Sequence, residues 1–548
     1  MNSNKNILQL SGNIVDVLNG CIFPGMLTIE NGRITAIQEE SVVSDRFILP
    51  GLIDAHIHIE SSMLVPTEFA RAAVVHGTVA TVSDPHEIAN VLGMQGVQYM
   101  LDNAKQAPFK YYFGAPSCVP ATPFETAGSA ISLDEIRTLL QRDDIVSLSE
   151  MMNIPGVLSA AKDVTEKLAA SKAAGKVIDG HAPGLRGSNV EKYIRSGIST
   201  DHECITLEEA LEKISLGMRV QIREGSAARN LDDLMPLLHD HYRSVMLCSD
   251  DKHPDDLLEG HINAMVRRAL ASGYDPLKVL WSACVTPVKT YGLDVGLLQV
   301  GDPADLILVD DFQHFNILQT YINGECVASD GRSKISSVPV APTNHFEADT
   351  LHTTALQIRT DHHTVPVIDV IDGQLVTRTY DWKPQADEDG FLNPDPSHDI
   401  LKIVVLNRYH KSAPAVAFIR GFGLKQGAIA SSVAHDSHNI VAVGTSNDFL
   451  ADVMNLVIHN KGGIAAVSAD EQLVLPLPVA GIMSDKEAFT VGPRYAQMDT
   501  FAKTLGSGLG APYMTLSFMA LLVIPDIKLS DKGLFDGIKF EFMDVFYS

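Results

Sequence analysis

The sequence predicts an α/β protein with a (β/α)8 TIM-like barrel, a small β-sandwich domain made from both flanks of the barrel, and a C-terminal α/β or α+β domain. Three observations lead to this fold class. Eight short apolar runs, each followed by a helix-like stretch, fill residues 50–292; β-rich segments lie on both sides of them; and the pattern changes again at about residue 346. A chain of 548 residues has room for two or three domains.

The two flanking segments have the same texture. Residues 1–49 alternate apolar and polar positions, and Asn31-Gly32 separates two such runs. An Asn-Gly pair in this position is a strong hairpin signal. The texture returns in residues 293–345, in LLQVGDPADLILVD and YINGECVASDG. We therefore expect residues 1–49 and 293–345 to form one small β domain.

The middle segment repeats a different unit. Its eight apolar runs end in polar or charged residues, and they read LIDAHIH, TVATVSD, KYYFGAP, IVSLSE, KVIDGH, GISTDH, RVQIRE and SVMLCSD. Helix-like stretches such as PTEFARAAVVHG and LEEALEKISLG separate them. A doubly wound sheet alternates in a similar way, but eight units in about 240 residues, with polar residues at each strand end, favour a barrel over residues 50–292.

The remaining residues, 346–548, mix strand-like runs such as ILKIVVLNRY and HNIVAVG with helix-like runs such as DFLADVMNLVIHN. This mixture indicates a separate α/β or α+β domain of about 200 residues.

Composition narrows the classes of partner. The net charge is −25 without any basic run, which argues against a nucleic-acid partner and against binding to an anionic membrane. No apolar stretch reaches the ~18 residues of a membrane helix, and the first residues lack the pattern of a signal peptide. Six scattered cysteines without a C-x-x-C pair suit a reducing compartment. These features predict a cytoplasmic protein with a small-molecule substrate.

The stretch GLIDAHIHIESS places two histidines, His56 and His58, at the end of the first barrel strand. Side chains at i and i+2 of a strand project to the same face. In a barrel strand that face is the interior, and the carboxyl end of the strand is the active-site mouth. The pair alone is equally compatible with two structural histidines.

Further ligand-type residues close other barrel strands. Glu150 ends the fourth run, His181 the fifth, His202 the sixth and Asp250 the eighth. Any one of them could be a cap or a surface group. Together with the histidine pair, however, six nitrogen and oxygen donors at strand ends indicate a site for one or two divalent metals such as Mn, Fe or Zn.

This order of ligands resembles the amidohydrolase superfamily. The resemblance covers residues 1 to about 345, including the GDPADLILVD segment of the split β domain. A closer resemblance, to the adenine deaminase family, spans nearly the whole chain. Its motifs here are LPGLIDAHIHIESSM, SDPHEIANVLG, REGSAARNL, CSDDKHPDDL and SSVAHDSHNIVAVG.

The resemblance implies two divalent metal ions per chain, Mn²⁺ or Fe²⁺ and alternatively Zn²⁺. His56, His58 and Asp250 would hold one ion, His181 and His202 the other, and Glu150 would bridge them. Many relatives bridge their metals with a carboxylated lysine, but IVSLSEMMN contains no lysine. The implied reaction is hydrolytic deamination of adenine to hypoxanthine and ammonia, in purine salvage, by a homodimer or larger homo-oligomer.

In the implied mechanism, a water activated between the cations attacks the ring carbon that carries the amine. Asp250 would collect the proton of that water and pass it to the departing nitrogen. Glu224, at the end of the seventh strand, is the candidate acid for the ring nitrogen. A salt bridge from Glu224 to the neighbouring Arg223 is the alternative, and Arg223 could otherwise contact the purine edge.

Two further segments carry ligand-type residues. In SDPHE, at the end of the second strand, Asp84, His86 and Glu87 could bind a further metal, contact the purine or orient another ligand; Asp84 could equally cap a helix that begins near Pro85. In HDSHN, residues 435–439 could cover the barrel mouth, bind metal or form an ordinary turn.

Two other functions remain compatible with the same residues. One is hydrolysis of a cyclic amide, of the dihydropyrimidine or hydantoin type, by a two-metal site. The other is a non-catalytic purine- or metal-binding protein. A cyclic amidohydrolase needs no acid at a ring nitrogen, and a binding protein has no need of all six ligands.

Overall fold

The structure, a computed structural model, describes residues 7–41, 45–359 and 364–546. The chain opens with four strands, β1 (Ile7–Asp16), β2 (Cys21–Glu30), β3 (Arg33–Glu39) and β4 (Phe47–Pro50). The predicted hairpin connects β2 and β3, and both of its turn residues, Asn31 and Gly32, have positive φ values of 51° and 78°. These angles belong to the two-residue turns that match the twist of paired strands.

Eight parallel strands follow, one for each predicted apolar run. They are β5 (Leu52–Ile57), β6 (Thr78–Ser83), β7 (Lys110–Ala115), β8 (Ile145–Met151), β9 (Val177–Gly180), β10 (Thr200–Asp201), β11 (Arg219–Arg223) and β12 (Val245–Cys248). Strands β5 to β9 pair in chain order, and so do β10 to β12.

Two sets of hydrogen bonds close this sheet into a cylinder. The Ser199 amide donates to the carbonyl of Ile178 at 3.0 Å, which joins β9 to β10. At the other seam the Asp250 amide donates to the carbonyl of His56 at 2.9 Å, so the segment that follows β12 pairs with β5. The predicted barrel is therefore confirmed.

Helices lie between the strands and cover them from outside. They are α1 (Pro66–Ala73), α2 (His86–Leu92), α3 (Met94–Ala104), α4 (Leu133–Leu140), α5 (Ile154–Leu158), α6 (Lys162–Ala174), α7 (Gly187–Arg195), α8 (Leu207–Ser215), α9 (Leu231–Leu234), α10 (Leu237–Asp240), α11 (Pro254–Glu259), α12 (Ile262–Ala271), α13 (Pro276–Leu280) and α14 (Thr286–Tyr291). The strands are buried almost throughout, as expected when one face meets helices and the other fills the barrel.

The strands after the barrel return to the first sheet. They are β13 (Leu306–Val309), β14 (Ile317–Ile322), β15 (Glu325–Ser329) and β16 (Arg332–Ser333). The β13 strand pairs with β4, so both flanks of the barrel share one eight-stranded sheet. Leu27 of β2 and Leu306 of β13 belong to one buried cluster, so the predicted sandwich is a single sheet folded over a common core.

Residues after 346 build a second eight-stranded sheet. Its elements and the small strands beside it are β17 (Ile358–Arg359), β18 (Val365–Val370), β19 (Thr377–Trp382), β20 (Phe391–Leu392), β21 (Leu401–Leu406), β22 (Ala415–Arg420), β23 (Ala428–Ser431), β24 (Ile440–Gly444), α15 (Asn447–His459), β25 (Gly463–Val467), β26 (Gln472–Pro476), α16 (Ala488–Thr504), α17 (Pro512–Phe518), β27 (Ile527–Ser530), β28 (Gly533–Asp536) and β29 (Glu541–Phe542). The strand order of the sheet is β19-β18-β22-β21-β24-β23-β25-β26.

The two faces of this second sheet pack against different neighbours. Val404 and Leu406 of β21 belong to the cluster beneath α15. Ile403 and Val405, one position away and therefore on the opposite face, belong to the cluster that also contains the barrel core. The C-terminal domain (346–546) thus lies directly against the barrel. Among the residues described, no helix has both the length and the apolar character to cross a lipid bilayer.

Candidate metal centre

The six predicted ligands meet at the carboxyl ends of the barrel strands. His56 and His58 lie at the end of β5 and Glu150 at the end of β8. His181 and His202 directly follow β9 and β10, and Asp250 lies two residues after the end of β12. All six side chains are buried except that of His181, which is 13% exposed. The strand ends bring these side chains together because every parallel strand of a barrel ends at the same rim.

One set of donors faces a single carboxylate oxygen of Asp250. The Nε2 atom of His56 lies 3.4 Å from Asp250 Oδ1, and that of His58 lies 3.3 Å from the same oxygen. His58 Nε2 is also 3.3 Å from Glu150 Oε1. These atoms are close enough to share one cation.

The second set faces the other oxygen of Glu150. His181 Nδ1 lies 2.9 Å from Glu150 Oε2, and His202 Nε2 lies 3.2 Å from it. The two oxygens of Glu150 therefore face two different groups of histidines. The family resemblance implies that such a carboxylate bridges two metal ions.

The donors suit divalent cations in both chemistry and charge. His56 Nε2 is buried without a hydrogen-bond partner, as expected of a nitrogen whose lone pair is available to bind a metal ion. Burial opposes charge on His58, but hydrogen bonds to Asp250 and Glu150 raise its pKa well above the usual value. In the same way, burial lowers the pKa of His202 but Asp250 and Glu150 raise it to about 9. The carboxylates thus favour positive charge here, and a divalent cation supplies it while leaving the imidazoles neutral, the form in which they ligate metals.

Arg223 and Glu203 adjoin this centre. Arg223 donates to Asp250 Oδ2 at 2.6 Å and forms a bidentate pair with Glu203. Glu203 Oε1 also lies 3.5 Å from His202 Nε2 and 3.6 Å from His181 Nδ1. Glu203 is not among the residues predicted from the sequence, although it directly follows His202 at the end of β10, a position that could have identified it.

Glu224 does not lie where a ring-protonating acid must lie. Its carboxylate is paired with Arg268 of α12 and accepts a hydrogen bond from the Leu231 amide at 3.3 Å. It is absent from the residues that line the cavity at the metal centre, whereas Glu203 and Arg223 line it. The structure also departs from the predicted alternative, since Arg223 pairs with Glu203 and Asp250 rather than with Glu224.

The three ligand-type residues of SDPHE, Asp84, His86 and Glu87, contact two different sets of side chains. Asp84 accepts a hydrogen bond from the amide of His86, the first residue of α2, at 3.1 Å, and its other oxygen lies 3.0 Å from His86 Nδ1. That ring nitrogen is also 3.5 Å from Glu150 Oε1. Glu87 points instead toward the C-terminal domain, where it contacts His435 and His438.

The HDSHN segment, residues 435–439, lies over the barrel mouth. His435 and Asp436 line the cavity together with apolar side chains of the same domain. Those apolar side chains are Leu375, Phe518, Leu521 and Ile524. Met152 extends the apolar surface on the barrel side. The cavity thus has a polar floor of candidate metal ligands and an apolar roof.

Comparison with known proteins agrees with this architecture. Residues 47–327 match the model of the amidohydrolase family, and residues 374–541 match that of the adenine deaminase C-terminal domain. The chain is 53% identical to an adenine deaminase of Sulfurovum sp. (strain NBC37-1), and the alignment covers 98% of this chain and 99% of that protein.

Other relatives give the same result. An adenine deaminase of Salinibacter ruber is 51% identical and one of Methanosarcina mazei is 50% identical, each over 98% of this chain and 99% of the relative. These alignments extend through the barrel, the split β domain and the C-terminal domain. The chain therefore belongs to the adenine deaminase family of the amidohydrolases.

Proposed function

We propose that this chain is a metal-dependent aminohydrolase that converts adenine and water to hypoxanthine and ammonia. The observation that carries the proposal is the convergence of six nitrogen and oxygen donors around Glu150, whose two oxygens face different histidine groups. The relatives that bear the name adenine deaminase support the choice of substrate.

Two divalent cations fit these donors. His56, His58 and Asp250 would hold one, His181 and His202 the other, and Glu150 would bridge them. Mn²⁺ and Fe²⁺ are our first candidates, and Zn²⁺ also accepts this set of ligands. When bound, such cations lower the pKa of a coordinated water to about 7, which supplies a nucleophile at neutral pH.

Asp250 is placed to move protons between the water and the leaving amine. Its Oδ2 is held by Arg223, and its Oδ1 faces His56 and His58. A carboxylate in this position can accept a proton from the water and donate it to the exocyclic nitrogen. Amines leave easily only when protonated, so this transfer is worth about 10²–10⁴ in rate.

Glu203, rather than Glu224, is our candidate for the acid that protonates the ring nitrogen. Its carboxylate lies beside His181 and His202 and lines the cavity. Arg223, which holds both Glu203 and Asp250, would fix the distance between the two acids. Asp84 and His86 would orient the ligands beside Glu150.

The assignment of activity is tested by ammonia release. With saturating Mn²⁺ or Fe²⁺, adenine should yield ammonia, whereas adenosine, guanine and cytosine should yield at least about a hundredfold less. Chelation should abolish the reaction, and metal should restore it. If a dihydropyrimidine or hydantoin opens rapidly while adenine yields no ammonia, the chain is a cyclic amidohydrolase instead.

Replacing Glu203 or Glu224 by glutamine should have different effects on kcat. Glu203→Gln should lower kcat for adenine at least about a hundredfold, because an amide cannot supply the proton. Glu224→Gln, which breaks only the contacts with Arg268 and the start of α9, should stay within about threefold of the unchanged enzyme. Steady-state kinetics of both variants at equal metal content test which glutamate protonates the ring nitrogen. The reverse pattern would assign that role to Glu224.

The proposed partner is a small molecule, not a nucleic acid or a membrane. The net charge of −25 repels both polyanions. We propose a cytoplasmic homodimer or larger homo-oligomer, and sedimentation of the metal-loaded protein measures the number of chains.

A further inference from the structure

His435 carries a ring nitrogen that the metal centre does not use. The segment containing it comes from the C-terminal domain, yet His435 lines the barrel cavity, and its Nε2 atom is buried without a hydrogen-bond partner. The nearest acid oxygen paired with it, Asp251 Oδ1, is 4.0 Å away. A buried imidazole nitrogen without a hydrogen bond costs free energy. We therefore expect a bound molecule to supply a hydrogen-bond partner for Nε2.

The other nitrogen of the ring is fixed by Glu87. His435 Nδ1 contacts Glu87 Oε1, and an ionised carboxylate can only accept hydrogen bonds. The Nδ1 atom therefore carries a proton and donates it. Burial raises the pKa of Glu87, but His435 and His438 lower it well below the usual value, which keeps that carboxylate ionised.

His438 fixes Glu87 in turn. Its Nδ1 accepts a hydrogen bond from the Ala434 amide at 3.2 Å, so the proton of a neutral ring sits on Nε2, which faces the second oxygen of Glu87. The result is a chain of donors and acceptors from His438 through Glu87 to His435. It ends on the free Nε2 of His435 in the cavity.

The same proton positions argue against a metal held by Glu87, His435 and His438, although these residues are close enough to hold one. A histidine ligates a metal through an unprotonated nitrogen. Both nitrogens that face Glu87 carry protons in this chain of hydrogen bonds. Metal content of the variants below distinguishes such a hydrogen-bonded support from a metal site.

From this geometry we propose that His435 is a substrate-binding residue that the C-terminal domain supplies to the barrel, and that its Nε2 hydrogen-bonds to the ring-nitrogen edge of the purine base. Glu87 and His438 are positioning residues that act through it. The inference rests on the proposed deamination of adenine and adds a residue that recognises the purine base.

The surroundings of His435 favour an in-plane contact with a flat base. Its ring is stacked on Phe518, with 4.6 Å between the ring centroids and 23° between the planes. That stacking covers one ring face, and Nε2 faces Asp251, another residue that lines the cavity. Leu521 and Ile524, which follow Phe518 in the chain, continue the apolar roof, so a base would meet apolar groups on its face and His435 at its edge.

The test compares inhibition constants for a set of adenine analogues, each with one ring nitrogen replaced by carbon. In the wild-type enzyme, the analogue that lacks the contacted nitrogen should bind about tenfold to a hundredfold more weakly than adenine. In His435→Ala this difference should disappear for that analogue alone, while the differences for the other analogues remain. His435→Gln, which keeps a polar group at the site, should restore part of it.

Metal content and a surface control distinguish the loss of a base contact from the loss of a metal or of the fold. Metal per chain should stay at the wild-type level in His435→Ala, and Glu87→Gln should reproduce its loss of discrimination. His398→Ala removes an exposed histidine of the same domain, paired with Asp395. It should change neither the metal content nor the discrimination among the analogues.

Two results would overturn the proposal. One is an unchanged preference among all analogues in His435→Ala. The other is the loss of one metal ion per chain in that variant, because the cluster would then be a metal site. Failure of the wild-type enzyme to release ammonia from adenine would instead contradict the proposed function, and it is measured separately.

Discussion

Asp250→Asn should lose nearly all turnover of adenine while the protein keeps its fold. Asparagine has the shape of aspartate, but its amide cannot accept the proton of the attacking water at neutral pH. The proton transfer assigned to Asp250 is worth about 10²–10⁴ in rate. Ammonia release under saturating adenine and metal measures the loss.

The choice of asparagine protects the fold. Asp250 has a positive φ of 55°, a conformation that asparagine and aspartate adopt more readily than other side chains do. Its main chain closes the barrel through hydrogen bonds with His56 and His58, and these survive the substitution. An unchanged thermal transition and far-ultraviolet circular dichroism would verify this.

Asp240→Asn is the matched control, because Asp240 is an exposed acid at the end of α10 and its replacement should leave turnover unchanged. Metal analysis of Asp250→Asn must accompany the kinetics, since Asp250 is also a proposed ligand. An Asp250→Asn enzyme that retains metal and more than about a tenth of the wild-type rate would contradict the proton-transfer role.

The proposed metal ligands could be predicted from the sequence because local rules place them. A two-residue period puts His56 and His58 on one face of a strand, and parallel strands of a barrel end at one rim. Glu150 and Asp250 each end a run of apolar residues. No long-range contact had to be known to bring these positions together, since the barrel topology already does so.

Contacts between residues far apart in the chain could not be predicted from the sequence. The position of Glu224 after β11 predicts that it lies in the cavity, but Arg268, on α12, draws its carboxylate away. Likewise, nothing in the local sequence of SDPHE indicates that Glu87 meets His435, a residue 348 positions later. Such pairings depend on how the C-terminal domain packs on the barrel, which periodicity does not encode.

Glu150→Gln should lose metal as well as activity, and this separates it from the other substitutions. The two oxygens of Glu150 face different histidine groups, at 3.3 Å from His58 and at 2.9 Å from His181. Glutamine offers one oxygen and one NH₂ group, and the latter is only a donor. One group of histidines would therefore face a donor instead of an acceptor.

The loss of the negative charge of Glu150 should also lower the affinity for metal. Burial raises the pKa of Glu150, but His181, His202 and His58 lower it well below the usual value, so the carboxylate is ionised at neutral pH. Removing that charge weakens the attraction for both cations, and ligand losses of this kind typically cost at least about tenfold to a hundredfold in metal affinity. We expect less than one tightly held ion per chain after dialysis, and adenine turnover lowered by more than about a hundredfold.

Elemental analysis after dialysis measures the ions, and Glu203→Gln is the matched control. Glu203 is also a buried glutamate of the same cavity, but it is paired with Arg223 and is not a proposed ligand. Its glutamine variant should keep the wild-type metal content while losing rate. A Glu150→Gln enzyme with full metal content would show that the two histidine groups hold their cations without a shared carboxylate, and the bridging role of Glu150 would have to be abandoned.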